Sequence, residues 1–227
     1  MNILNWKNLS SLAGVSLCIA IAACGVAGAE GQSARLPDPK VDDALVAGPP
    51  RTAVFSGGCF WGVQAVFEHV NGVVSATSGY SGGTVKNPTY EAVSTGTTGH
   101  AESVQVVYDP AKISYGQLLK IFFSVAHDPT QLNRQGPDTG TQYRSAVFTS
   151  SPEQEHIAHA YVEQLTAAKV YGSAIVTQIA PLSAFYPAEA YHQDYAKLHP
   201  ENPYIVINDL PKVANLKSEF PSLYRSY

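Results

Sequence analysis

The stretch "TAVFSGGCFWGVQAVFEHV", Thr52 to Val70, changes its hydrophobic period at a glycine pair. Thr52 to Phe55 is a short apolar run of strand length. Gly57 and Gly58 allow the chain to turn sharply. From Cys59 onward, Phe60, Val63, Val66, Phe67 and Val70 recur at three- and four-residue intervals, which predicts an amphipathic helix from Cys59 to Val70. A strand that feeds a helix through a tight glycine turn is the opening half of a β-α-β unit.

Val73 to Tyr80 reads as the returning strand, and Ser103 to Tyr108 as another, stopped by Asp109-Pro110. Ser114 to Val125 is helical, with Leu118, Leu119, Phe122 and Phe123 turned inward. Ser145 to Thr149 is a strand. Ser151 caps a long helix that has Pro152 in its first turn and Gln154 at the capping-box position, and that runs to about Val170. Ala174 to Ile179 is the last strand. The order β-α-β, then β-α-β-α-β, predicts an α+β two-layer sandwich with a mixed central sheet, related to the split βαβ (ferredoxin-like) pattern. After Tyr204 the chain reads as irregular, with one short helix from Pro211.

The 227 residues carry 14 Lys and Arg against 18 Asp and Glu, a net charge of -4, with 45% hydrophobic and 14% charged residues. This is a soluble globular composition, long enough to bury a core. No Lys/Arg-rich run appears, which disfavours nucleic acid as a partner. Lys7 is the only charge before Glu30, and Leu12 to Ala23 is an apolar run too short to span a bilayer and followed by small residues. Residues 1–24 are therefore expected to be a secretory or lipoprotein leader, cut at "IAAC" so that Cys24 carries the lipid. Cleavage after "AGA" makes the leader 1–29 instead. An exported protein is expected, periplasmic or lipid-anchored to a bacterial membrane. Residues 25–50, with scattered Pro, Gly, Asp and Ser, read as a tether. The catalytic domain is placed at 51–210 and a C-terminal tail at 211–227.

Of the three cysteines, Cys18 and Cys24 lie in the leader region, so Cys59 is the thiol of the mature domain. An unpaired cysteine in an oxidising compartment invites a chemical explanation. At the opening of a helix, free N–H groups and the helix dipole favour the thiolate, the nucleophilic form, and the thiol is expected to be exposed. Phe60 and Trp61 supply an apolar wall; a buried inert thiol among core aromatics is the alternative. "GYSGG", Gly79 to Gly83, matches the serine-hydrolase elbow, but "TVKNPTY" follows where a helix should start, so a glycine-rich turn explains it better. His100, His127 and His192 are candidate bases for a cysteine hydrolase, whereas His156 and His159 read as solvated helix residues. No cluster has metal-ligand spacing. Two further segments are rich in polar groups: Asn87 to Asp109, with Glu102 opening a strand, and the long loop His127 to Phe148, with Asp138, Gly140, Tyr143 and Arg144.

Together "GGCFWG", "PTYEAVSTGTTGHAE", "RQGPDTGTQYRSAVF" and "EAYHQDYAKLHPENPY" resemble the peptide methionine sulfoxide reductase A family, in order from about Thr52 to Tyr204. The resemblance implies that Cys59 is the nucleophile, Glu102 the acid, Tyr90 and Tyr143 the binders of the sulfoxide oxygen, and Asp138 the loop aspartate. Phe60 and Trp61 would hold the substrate's methyl group. It implies reduction of the S epimer of methionine sulfoxide, free or in proteins, with no metal or bound organic cofactor. The chemistry is coherent: desolvation and a nearby anionic sulfur keep Glu102 protonated, ready to donate to the S=O oxygen as Cys59 attacks. The product on the enzyme is a Cys59 sulfenic acid. Many members of the family resolve that acid with a later cysteine; here none follows Cys59. An external thiol such as thioredoxin or a thioredoxin-like domain is the expected reductant, and the protein is expected to be a monomer. Met1 is the only methionine in the chain.

Overall fold

The computed structural model describes residues 35–227. The predicted leader, both cleavage sites, Cys24 and the first part of the tether lie outside the described residues. The elements run β1 (Arg51–Ser56), α1 (Phe60–Glu68), β2 (Val73–Ser81), α2 (Tyr90–Ser94), β3 (Ala101–Tyr108) and α3 (Tyr115–Ile121). They continue with a small hairpin of β4 (Arg134–Gln135) and β5 (Asp138–Thr139), then β6 (Ala146–Thr149) and α4 (Pro152–Ala167). Last come β7 (Gln178–Pro181), β8 (Phe185–Pro187), α5 (Tyr195–Leu198) and α6 (Leu210–Glu219).

Six strands form one mixed sheet in the order β7-β6-β1-β3-β2-β8, in which only β6 and β7 are parallel. Alternation along the strands divides the sheet into two faces. Phe55, Val104, Val106, Tyr108 and Val147 face the main core with Phe67, Leu118, Leu119, Phe122, Ile157 and Tyr161 of the helices. Val54, Ala146 and Phe148 face the other way, under Ala180, Leu182 and Phe185. The α+β sandwich expected from the sequence is the one observed.

The differences are local and have physical causes. α3 starts with the capping box of Ser114 and Gln117, and its helical path widens into a π turn at Phe122–Ala126. Ser151 caps α4 by accepting from Gln154 N, but the Gln154 side chain accepts from Ser150 N rather than closing a box. The last strand begins four residues later than its apolar pattern suggested. β8 and the hairpin were not predicted, because two- and three-residue strands carry no readable period. Residues 35–50 are not a loose tether. Leu36 is buried in the core, Asp42 accepts from Ser114 Oγ and Gly116 N, and Asp43 accepts from Tyr115 N, so the segment caps α3 from outside.

The short helix expected from Pro211 is present as α6, but the rest of the tail after Tyr204, expected to be irregular, is ordered against α1. Ile205, Asp209 and Leu216 are fully buried, and Arg225 N donates to His69 O.

The glycine pair does what the opening stretch required. Gly58 has φ of +88°, and a Cβ there would lie 2.5 Å from Gln135 Cβ in the hairpin. Gly58→Ala is expected to lower the free energy of unfolding by at least about 1–2 kcal/mol, from the left-handed backbone alone. An unchanged urea midpoint would show that the turn tolerates a side chain.

Candidate functional site

Cys59 sits at the N-cap of α1 with φ −54° and ψ 124°, and its side chain caps nothing. The sulfur is not exposed as expected: the residue is 8% accessible. Nor does the helix opening dominate its chemistry. Burial, then the charges of Glu102 and Asp209, push the thiol well above its usual value, against the Trp61 backbone N–H and Lys212, which pull it down. Desolvation outweighs the dipole, because the favourable helix end contributes little next to the cost of a buried anion. The resting sulfur is a thiol.

Glu102 lies on β3 opposite Tyr80 of β2, with 3% exposure. The sheet sets it beside α1, where its Oε2 accepts from Phe60 N at 3.0 Å. Burial pushes its carboxyl up to about 8, with Asp138 and Asp209 adding to the rise and the Phe60 bond opposing it. Below that pH it is a neutral acid with a proton to give.

Tyr90 opens α2 and is held by its N–H, which donates to Glu189 Oε1 at 2.8 Å. Tyr143 ends the 3-10 turn Thr141–Tyr143. Both phenols are held above their usual range first by burial and next by Glu102, and both respond to Cys59 and Asp138 as well. The fold therefore gathers Cys59, Glu102, Tyr90, Tyr143 and Asp138 from four separate segments into one electrostatic neighbourhood. Asp138, on β5, accepts a hydrogen bond from Tyr204.

The aromatic wall is larger than Phe60 and Trp61. Trp61 stacks on Tyr195 at 3.8 Å between centroids and meets Tyr204 edge-on at 6.0 Å. Its Nε1 donates to His192 Nδ1 at 3.2 Å, and the His192 ring lies 5.1 Å from Phe60 and 4.4 Å from Tyr90. Phe60 itself is 1% exposed.

Of the three candidate bases, only His192 touches this aromatic cluster. His127 is buried between Phe122 O and Ser145 Oγ, where burial lowers it to about 4, and His100 bonds Gly83 N and Val85 O. His156 and His159 are exposed, as expected. Ser81 of the glycine-rich turn is sealed inside the sheet, donating to Ala184 O. Among the described residues, no group of three His, Cys, Asp or Glu side chains is placed to hold a metal.

Tyr204, Tyr195, Glu189 and Asp209 join the neighbourhood without having been singled out. The segment "EAYHQDYAKLHPENPY" carried three of them, but no periodicity marks which of its residues turn inward.

The model for the peptide methionine sulfoxide reductase family matches residues 51–223. A peptide methionine sulfoxide reductase MsrA 2 of Mesorhizobium japonicum is 60% identical over 182 residues, covering 80% of this chain and 93% of the relative. The corresponding protein of Synechocystis is 52% identical over 188 residues, covering 82% and 88%. Among solved structures, methionine sulfoxide reductase A of Corynebacterium diphtheriae matches with a TM-score of 0.59 at 38% identity, covering 73% of this chain and 84% of that one. Reduced Mxr1 of Saccharomyces cerevisiae matches with a TM-score of 0.62 at 32% identity, covering 71% and 92%. A lone cysteine beside a neutral buried carboxyl and two phenols, in a chain so closely matched to these reductases, leads to one conclusion: the chain belongs to the peptide methionine sulfoxide reductase family of oxidoreductases.

Proposed function

We propose that the protein reduces the S epimer of methionine sulfoxide, free or in oxidised proteins and peptides, as a repair enzyme. The observation that carries this reading is the buried carboxyl of Glu102, held by Phe60 N at the opening of α1 next to Cys59, where burial favours its protonated form. A sulfoxide is a weak electrophile until its oxygen is protonated or polarised. Glu102 gives its proton to that oxygen, Tyr90 and Tyr143 donate hydrogen bonds to the developing charge, and the Cys59 sulfur bonds to the substrate sulfur as its own proton leaves. Asp138, hydrogen-bonded by Tyr204, orders the loop side of the pocket. The Phe60 and Trp61 rings take the methyl group. Oxygen passes to Cys59, releasing methionine and leaving a sulfenic acid.

No cysteine lies between Phe60 and Tyr227. An external dithiol, thioredoxin or a thioredoxin-like domain, then attacks the Cys59 sulfur, forms a mixed disulfide with loss of water, and closes its own disulfide to release the thiol. No bound cofactor or metal enters this sequence. In this reading the protein acts as a monomer. The apolar run Leu12–Ala23 supports export, and "IAAC" a lipid anchor at Cys24.

The deciding experiment supplies S and R methionine sulfoxide peptides with different reductants. Turnover of the S peptide alone, with a dithiol protein as electron source, is expected. Equal use of both epimers would overturn the stereochemical assignment. After substrate alone, mass spectrometry should find a sulfenic adduct at Cys59; a stable internal disulfide in the processed protein would refute external recycling.

A further inference from the structure

Asp209 is a fully buried carboxylate that the reaction as described does not use. It occupies the N-cap of α6, a place where aspartate ordinarily accepts from the helix's own N–H groups, yet its side chain makes no such bond. The carboxylate turns instead onto Gly62, in the first turn of α1, where a Cβ would collide with Oδ1 and would lie 2.7 Å from Lys212 Nζ. Lys212, with a side chain 17% exposed, pairs with Oδ1 at 3.2 Å, and Oδ2 has no partner. A buried ion pair with one oxygen unsatisfied is expensive to keep for stability alone. Its location is one turn along α1 from Cys59.

We propose that Asp209 and Lys212 are positioning residues for the reduction, an ion pair held against the first turn of α1 whose two charges act in opposite directions on the Cys59 sulfur. The proposal rests on the role of Cys59 given above and adds the groups that set its reactivity. A thiol buried among acids needs a nearby cation if it is to lose its proton as it attacks. Around this sulfur stand Glu102 from β3, the phenols of Tyr90, Tyr143 and Tyr204, and the Trp61 backbone N–H, with Asp138 from β5 acting on Glu102 and the phenols. Lys212 supplies the positive charge, and Asp209 keeps the ammonium inside and moderates it. Consistently, Lys212 lowers the thiol and Asp209 raises it, while Asp209 also helps keep Glu102 protonated.

The test is the pH dependence of Cys59 alkylation in the full chain, read by mass spectrometry on the Cys59 peptide so that Cys18 and Cys24 do not interfere. Lys212→Met should move the alkylation midpoint up by about one pH unit, a roughly ten-fold slower reaction at a given pH below it. Asp209→Asn should move it down by a similar amount, and Lys212→Arg should restore the wild-type midpoint. Circular dichroism and thermal melts establish that each variant is folded. A purely structural pair would alter the melts without shifting the midpoints in opposite directions. Unchanged midpoints, or shifts of the same sign, would overturn the proposal. If Lys212→Met does not fold, Asp209→Asn decides alone: a fall supports the proposal, and no change or a rise overturns it. Should the wild-type enzyme reduce neither sulfoxide epimer, the activity assignment fails while these titrations still judge the pair.

Discussion

Cys59→Ser is expected to abolish methionine formation, a loss on the order of 10⁴-fold or more in single-turnover rate. The reaction needs a sulfur that can both attack the substrate sulfur and carry away its oxygen as a sulfenic acid. A serine hydroxyl ionises too weakly to attack and has no comparable oxidised state. The substitution is nearly isosteric, and serine is a favoured N-cap, so α1 should be retained or slightly stabilised. Loss of activity therefore cannot be assigned to unfolding. Isothermal titration with an S-sulfoxide peptide should show binding preserved while quenched-flow analysis shows no product. Residual turnover within ten-fold of wild type would remove Cys59 from the chemistry.

Glu102→Gln should slow the sulfoxide step by about 10²–10⁴-fold, the usual contribution of a well-placed general acid. The amide keeps the shape, and its oxygen still accepts from Phe60 N, so the first turn of α1 is undisturbed. What disappears is the proton. The pH profile gives an independent check. With the carboxyl raised to about 8, Glu102 is mostly protonated at pH 7 and loses its proton as pH rises through 8. Ionisation of the Cys59 thiol runs the other way, favouring attack as pH rises, so the acid is read by comparison: the ratio of the wild-type rate to the Glu102→Gln rate in the first half-reaction should fall above about pH 8. A ratio that stays level past pH 9 would show that sulfur ionisation, not the acid, controls the step.

Gly58 and Phe60 illustrate how much of the site was legible in the sequence. The glycine pair at a break in hydrophobic period marked a sharp strand-to-helix turn, and the motif resemblance put Cys59, Glu102, Tyr90, Tyr143 and Asp138 in one mechanism. The charge state of the sulfur was misread. The helix opening suggested a thiolate, but the local N–H groups act over one turn, whereas burial and the two carboxylates come from β3 and from the π turn Ile205–Asp209 that leads into α6, far along the chain. The same limit hid Asp209, Lys212 and the packing of the C-terminal segment: α6 is mostly polar, and Leu216 is its one fully buried residue.

By itself, then, the order of residues determined the main strands and helices, the sandwich class and the family, because periodicity, glycine turns and short motifs are local properties written in neighbouring positions. Tertiary structure alone decided that the thiol is buried and neutral, that Glu102 keeps its proton, and that an ion pair from the end of the chain stands against the first turn of α1. Proton affinities depend on what is packed within a few ångströms in space, and those neighbours are set only when distant segments meet.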